Sequence, residues 1–235
     1  MEIIWGILIA GFVIFVVTFL VRKTLQAVQG DPEFWAGEIR RFECQDRRDG
    51  PPEDVILFTG SSSIRFWKTL GEDMAPLRVA NRGFGGAQIH QVTYYADRII
   101  FPYKPKGIVF YAGENDISGM GFSKGKSPQE LLEAFKQFCQ TVHVQLPDVP
   151  IYFISIKPPK LRLEHWPQMQ IANKMIRLYC EKDERLGYID VVPPMLDEEG
   201  RPRRDLFKWD GIHMNPKGYV IWTEVVKPIL EEASL

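Results

Sequence analysis

Three consecutive serines follow Gly60 in "VILFTGSSSIRFW", residues 55–67. A serine hydroxyl attacks an ester only if a base lies within hydrogen-bond reach and a third group orients that base. Four histidines could serve as the base. His90 and His143 fall inside helical patterns, where surface or core roles are the ordinary reading. His165 precedes Trp166 in a loop. His213 differs, since it follows Asp210 by three residues in the Gly-containing turn "DGIH" that leads into a helix. That spacing lets the Asp210 carboxylate accept from imidazole Nδ1–H while Nε2 faces a serine. The chemistry would be acyl transfer through a covalent intermediate. Taken alone, a serine-rich turn or an Asp-x-x-His is common in loops, and any of Ser61, Ser62 and Ser63 could be the one that attacks.

Acyl transfer also needs donors for the developing oxyanion. The backbone at the serine turn offers one. The loop "NRGFGG" (81–86) lets the backbone approach closely and offers another, and Asn115 in "GEND" (113–116) offers a side-chain amide. The glycine loop has no following Lys-Ser/Thr and is not Gly-x-Gly-x-x-Gly, which excludes a P-loop and a dinucleotide fingerprint. Glu114, Asp116 and Asp210 could be drawn as a metal set, but no further ligands cluster with them. Turn and cap hydrogen bonding is the simpler reading of the first two. No metal or organic cofactor is expected.

The elements that must position these groups are short. Runs 55–59, 77–81, 107–112, 151–156 and 188–192 are continuously apolar, which suits parallel strands buried on both faces. Between and after them, 62–70, 87–97, 128–145, 166–184 and 216–233 read as helices. The stretch 128–145 is the clearest. Ser127 caps it, Pro128 sits at its first position, Glu130 completes a capping box, and Leu131, Leu132, Phe135, Phe138, Val142 and Leu146 share one face. Strands alternating with helices give an α/β sandwich with about five mostly parallel strands. In such sheets ligands bind beyond the C-terminal strand ends. Gly60–Ser63, Asn81–Gly86 and Gly113–Asp116 all lie there, and Asp210–His213 precedes the last helix.

Taken in order and at these places, the blocks "FTGSSS", "NRGFGG", "GEND" and "DGIHMNPKGY" resemble those of the SGNH hydrolases, the GDSL lipase/esterase family. The resemblance covers roughly residues 54–230. It implies a three-layer α/β/α, flavodoxin-like sandwich. Residue by residue it implies Ser62 as nucleophile, Asp210 and His213 as its triad partners, and Ser62, Gly86 and Asn115 as the oxyanion hole. This chain departs from the Gly-Asp-Ser pattern by carrying Ser61 where the family has aspartate; the triad acid comes from the Asp-x-x-His block instead. The implied function is a serine esterase acting on small-acyl, lysophospholipid or thioester substrates. The same triad in an acyltransferase, or the fold retained in a silent membrane-tethered binding protein, are the rivals. Activity is expected to fall as pH drops below the histidine range. The loop "KPPKLRLEHW" (157–166) is the best candidate for substrate contact.

A net charge of −1 gives no basic field for nucleic acid. Cys44, Cys139 and Cys180 are too few and too scattered for a disulfide framework or a zinc site. Residues 3–21 carry no charge, and as a helix would span about 28 Å, close to a bilayer core. This predicts an N-terminal transmembrane anchor with its linker over 1–30 and an esterase domain over 31–235, with the membrane as a partner through 3–21. Arg22 and Lys23 follow the span, which places the domain on the cytoplasmic side. Asp31-Pro32 starts a further helix bearing Phe34, Trp35, Ile39 and Phe42, and Gly50-Pro51-Pro52 ends it.

Overall fold

The computed structural model describes residues 2–119 and 124–233, without the side chains of 2–4, 6, 7, 10 and 27–29. After helix α1 (Glu2–Gln29) and a short 3-10 turn at Pro32–Trp35 comes α2 (Ala36–Asp49). The sheet then opens with β1 (Ile56–Gly60), α3 (Ser62–Arg65), α4 (Leu70–Asp73) and β2 (Val79–Gly83). Next are α5 (Ile89–Tyr94), α6 (Ala96–Ile99), β3 (Gly107–Tyr111), α7 (Glu114–Ser118) and α8 (Pro128–Gln145). β4 (Ile151–Ile154), α9 (Trp166–Cys180), β5 (Leu186–Ile189) and α10 (Pro216–Glu232) complete the fold.

The strands form one sheet in the order β2-β1-β3-β4-β5, every neighbouring pair parallel. The chain leaves β1 to one side for β2 and returns to the other side for β3. The order therefore reverses between β1 and β3, the place where such sheets open a crevice at their C-terminal ends. Ser62 follows β1 and Asn115 follows β3, so both flank that crevice.

The central strands β1 and β3 are buried along their whole length, so both their faces are covered, and β2, β4 and β5 are buried in part. Leu57, Ile108, Phe110, Ile151 and Phe153 join one core with α2, α5, α6, α8 and α9. Ile56, Phe58, Val109, Tyr111, Ile154 and Ile189 join the other with α3, α4 and α10. A fully buried side chain of this size contributes about 2 kcal/mol, so two covered faces demand runs that are apolar throughout rather than alternating. The expected capping box starts α8: Ser127 Oγ accepts from Glu130 N at 3.3 Å, and Glu130 accepts from Ser127 N at 2.8 Å.

Some boundaries differ from the sequence reading. The helix expected over 62–70 is two short ones: after α3 the Trp67 N–H turns back to the Ile64 carbonyl at 3.0 Å in a tighter turn, and Asn81 Nδ2 donates to the same carbonyl at 2.6 Å. The last strand ends before Val191, whose N–H donates to Ser155 Oγ at 2.9 Å.

One expectation is corrected. The N-terminal segment is helical, but among the described residues no helix is long and apolar enough to cross a membrane. The transmembrane helix is withdrawn, and with it the support for residues 3–21 as a membrane contact.

Candidate active site

Gly60 ends β1 at φ +129°, and a Cβ there would stand 1.9 Å from the Tyr111 carbonyl oxygen. Only glycine permits this turn next to β3. The turn is locked by the Ser61 N–H, which donates to the same Tyr111 oxygen at 2.8 Å, and by the Ser61 carbonyl, which starts the helical bonds to Ile64 and Arg65. Of the three serines, Ser61 and Ser63 are buried. Ser62, at the first position of α3, is half-buried and meets the histidine.

His213 Nε2 lies 3.0 Å from Ser62 Oγ, and Nδ1 lies 2.8 Å from Asp210 Oδ2. Asp210 Oδ1 also accepts from the backbone N–H groups of Ile212 and His213, both at 2.9 Å. Partial burial pushes the Asp210 carboxyl up, but the His213 ring and the two backbone donors outweigh that and hold it at about 2. The Nδ1–H tautomer follows from this network, since an ionised carboxylate only accepts. Phe66 packs edge-on against the imidazole at a centroid distance of 4.8 Å, fixing its plane.

Gly86 lies in the turn between β2 and α5. Among the described residues neither the Ser62 nor the Gly86 N–H has a hydrogen-bond partner. Asn115, in α7, is 8% exposed; its Nδ2 makes one long contact, 3.4 Å, to the Ala87 carbonyl. The neighbouring Gly85 has φ +31°, and a Cβ on it would overlap the Trp35 ring at 1.9 Å, so this loop lies directly on the aromatic at the start of α2.

The other singled-out residues go elsewhere. His90 Nε2 meets the Gly30 carbonyl at 2.9 Å, His143 Nε2 meets the Val149 carbonyl at 3.0 Å, and His165 Nε2 lies 3.5 Å from Glu164. The three carboxylates once grouped as a metal set have separate partners. Asp116 pairs with Lys126 at 2.9 Å, Asp210 with His213, and Glu114 with Lys157.

Five residues were not individually singled out from sequence. Lys157, fully buried, forms an ion pair with Glu114, to which Tyr111 OH also donates at 3.4 Å. Burial, reinforced by the Glu114 charge, pushes the Tyr111 phenol well up, so it remains a donor. Arg162 Nη1 donates to Asn115 Oδ1 at 3.1 Å and lies 3.4 Å from Glu114 Oε1. Glu38 of α2 accepts from the Gly85 N–H at 3.2 Å and pairs with Arg65 of α3 at 3.0 Å, tying the glycine loop to the nucleophile helix. Lys157 and Arg162 fall in the 157–166 loop singled out for substrate contact. Glu38 left no signal, being one acid among many on a polar helix.

A groove of about 1020 Å³ runs past this loop, lined by Lys160, Leu163, Trp166, Leu196 and the Arg201–Asp205 segment, but by neither Ser62 nor His213. Trp209, which precedes Asp210 in the chain, is 95% exposed, and Leu161, whose N–H donates to Gly211 O, is 62% exposed.

The model of the GDSL-like lipase/acylhydrolase family matches residues 50–221. No curated protein matches. Among solved structures, a Streptococcus pneumonia protein provisionally described as a platelet activating factor is 20% identical, with TM-score 0.72, over 92% of this chain and 98% of its own. A GDSL-like lipase from Bacteroides thetaiotaomicron is 18% identical, with TM-score 0.71, over 83% of this chain and 98% of its own. A family 3 carbohydrate esterase from Clostridium thermocellum is 13% identical, with TM-score 0.58, over 77% of this chain and 98% of its own. At these identities the likeness is one of fold.

Proposed function

From the premise that this chain belongs to the GDSL-like lipase/acylhydrolase family and is an ester-hydrolysing enzyme, we propose that it works by two-step acyl transfer through Ser62, His213 and Asp210. The observation that carries the reading is the 3.0 Å approach of His213 Nε2 to Ser62 Oγ, with Nδ1 engaged by Asp210. His213 takes the Ser62 proton as Oγ attacks the ester carbonyl, and Asp210 stabilises the imidazolium formed. Collapse of the tetrahedral adduct expels the alcohol, which receives the proton from His213. Water then repeats the attack on the acyl-enzyme, with His213 again as base, and free Ser62 is regenerated.

The oxyanion hole in this reading is made by the N–H groups of Ser62 and Gly86 and by Asn115 Nδ2. The absence of partners for both N–H groups among the described residues supports it. So does the length of the contact between Asn115 Nδ2 and Ala87, which is readily exchanged for a better acceptor. Such donors act where charge develops, and losing one typically costs about 10²–10³-fold in kcat.

The exposed Trp209 and Leu161 beside the triad favour an ester with an apolar or ring-bearing portion. Small-acyl esters, lysophospholipids and thioesters all offer one, and the esterase chemistry of the carbohydrate esterase that shares the fold is compatible with the first of these. The test is hydrolysis of p-nitrophenyl esters from acetyl to palmitoyl by the full chain and by Ser62→Ala. Activity in the parent that disappears in the variant supports the reading, and the chain-length optimum separates small-acyl from lipid substrates. A folded parent that neither hydrolyses the series nor reacts with a fluorophosphonate at Ser62 overturns it. Adding an alcohol acceptor and analysing products tests whether the acyl group passes to an acceptor other than water.

A further inference from the structure

We propose that Arg162 is a positioning residue that fixes the side-chain amide of Asn115 in the orientation an oxyanion donor needs; this rests on the reading of Asn115 as part of the oxyanion hole. An asparagine amide has a donor end and an acceptor end of nearly equal shape, and only one of them stabilises negative charge. A guanidinium has no acceptor and a backbone carbonyl has no donor. The Asn115 amide sits between one of each, with Arg162 Nη1 3.1 Å from Oδ1 and Ala87 O 3.4 Å from Nδ2. Flipping the amide would set NH2 against the guanidinium and turn a lone pair toward the developing oxyanion. The Arg162 contact is the shorter of the two and is charge-assisted, so it is the stronger constraint. The guanidinium also draws electron density through the amide, which makes Nδ2–H the better donor.

Arg162 is itself held from two sides. Its Nη1 lies 3.4 Å from Glu114 Oε1, and the preceding Leu161 N–H donates to the Gly211 carbonyl at 3.1 Å. The loop between β4 and α9 is thereby fastened both to α7, which carries Asn115, and to the turn that carries Asp210 and His213. Neutralising Glu114 does not account for the guanidinium. Lys157 is fully buried against that carboxylate already, and Arg162 approaches Glu114 less closely than Asn115. The placement of Arg162 therefore serves Asn115 first.

The experiment is a double-mutant cycle in the full chain with Arg162→Ala, Asn115→Ala and the double variant, read as kcat and KM on p-nitrophenyl acetate, with thermal unfolding alongside. Asn115→Ala should lower kcat about 10²-fold, and Arg162→Ala about 10-fold with KM within about twofold. The double variant should fall no more than about twofold below Asn115→Ala, because Arg162 acts through the amide that variant removes. Dissolved guanidinium should restore kcat in Arg162→Ala and not in the double variant. If Arg162→Ala does not fold, Arg162→Lys asks the same question: it keeps the charge near Glu114 but loses the planar fork, and its kcat should drop without a matching fall in Tm. Losses that multiply in the double variant, or parental kcat in Arg162→Ala (in Arg162→Lys, where that variant stands in), overturn the proposal. If Asn115→Ala keeps parental kcat, the oxyanion reading of Asn115 fails, and the role given to Arg162 fails with it.

Discussion

His213 Nε2 stands 3.0 Å from Ser62 Oγ, while the flanking Ser61 and Ser63 are buried and engaged through their backbones: the Ser61 N–H donates to Tyr111 O, and the Ser63 carbonyl accepts from Tyr219 OH at 2.9 Å. This asymmetry makes a sharp prediction. Ser62→Ala and His213→Ala should each lower kcat by about 10⁴-fold or more. Ser61→Ala and Ser63→Ala should stay within about tenfold of the parent, because neither hydroxyl is asked to attack. Fluorophosphonate labelling mapped by peptide mass should fall on Ser62; labelling on Ser61 or Ser63 would move the nucleophile.

Asp210 accepts three hydrogen bonds and is held at about 2, below the 3.8 of a free aspartate. Because its folded-state value is depressed, its contribution to stability is present above about pH 4 and is lost as pH falls toward 2. Loss of activity above about pH 4 therefore does not come from protonation of Asp210. Asp210→Asn keeps the shape but supports the wrong imidazole tautomer, and kcat should drop about 10⁴-fold. Parental kcat in Asp210→Asn would remove Asp210 as the group that orients His213.

Gly60→Ala tests the turn itself. The new Cβ would lie 1.9 Å from Tyr111 O at φ +129°, so either β1 separates from β3 or the serine turn shifts. Strain and overpacking together should cost about 3 kcal/mol, with activity falling further than stability. Denaturant midpoints and kcat measured on the same preparation check it; a fully stable and active variant would show that the turn relaxes easily.

The Glu114–Lys157 pair is buried on both sides, with side chains 5% and 0% exposed. Lys157→Met should destabilise the protein by about 3 kcal/mol, since it leaves Glu114 buried with only the longer contacts from Arg162 and Tyr111, both at 3.4 Å. Adding Glu114→Gln should recover most of that loss, because an uncharged pair carries a smaller desolvation cost. Chemical unfolding of the two variants decides it, and equal stability of the single and double variants would show that the pair is not the source.

Much of the fold was legible because its signals are local. Apolar runs over 55–59 and 107–112 and the Ser127–Glu130 capping box depend on neighbours a few residues away, and the strands and α8 form there with shifts of a residue or two. The split of 62–70 into α3 and α4 was hidden because Asn81, which donates to the Ile64 carbonyl where α3 ends, comes from another strand. The N-terminal run misled for a related reason. A charge-free stretch reads as a membrane span from composition alone, whereas no described helix meets the length and apolarity a bilayer requires.

By itself the sequence determined the family, through four short blocks whose order and strand-end positions need no coordinates, and it named the small set of side chains able to do acyl transfer. Only the tertiary structure decided which of those side chains meet and what holds them. Ser62 and His213 are 151 residues apart, Arg162 and Asn115 are 47 apart, and so are Glu38 and Gly85. Contacts at such separations follow from strand order and loop closure rather than from helix or strand period. They leave no periodic trace in the chain, and a lone arginine or glutamate in a polar segment reads as solvated surface until the fold closes around it.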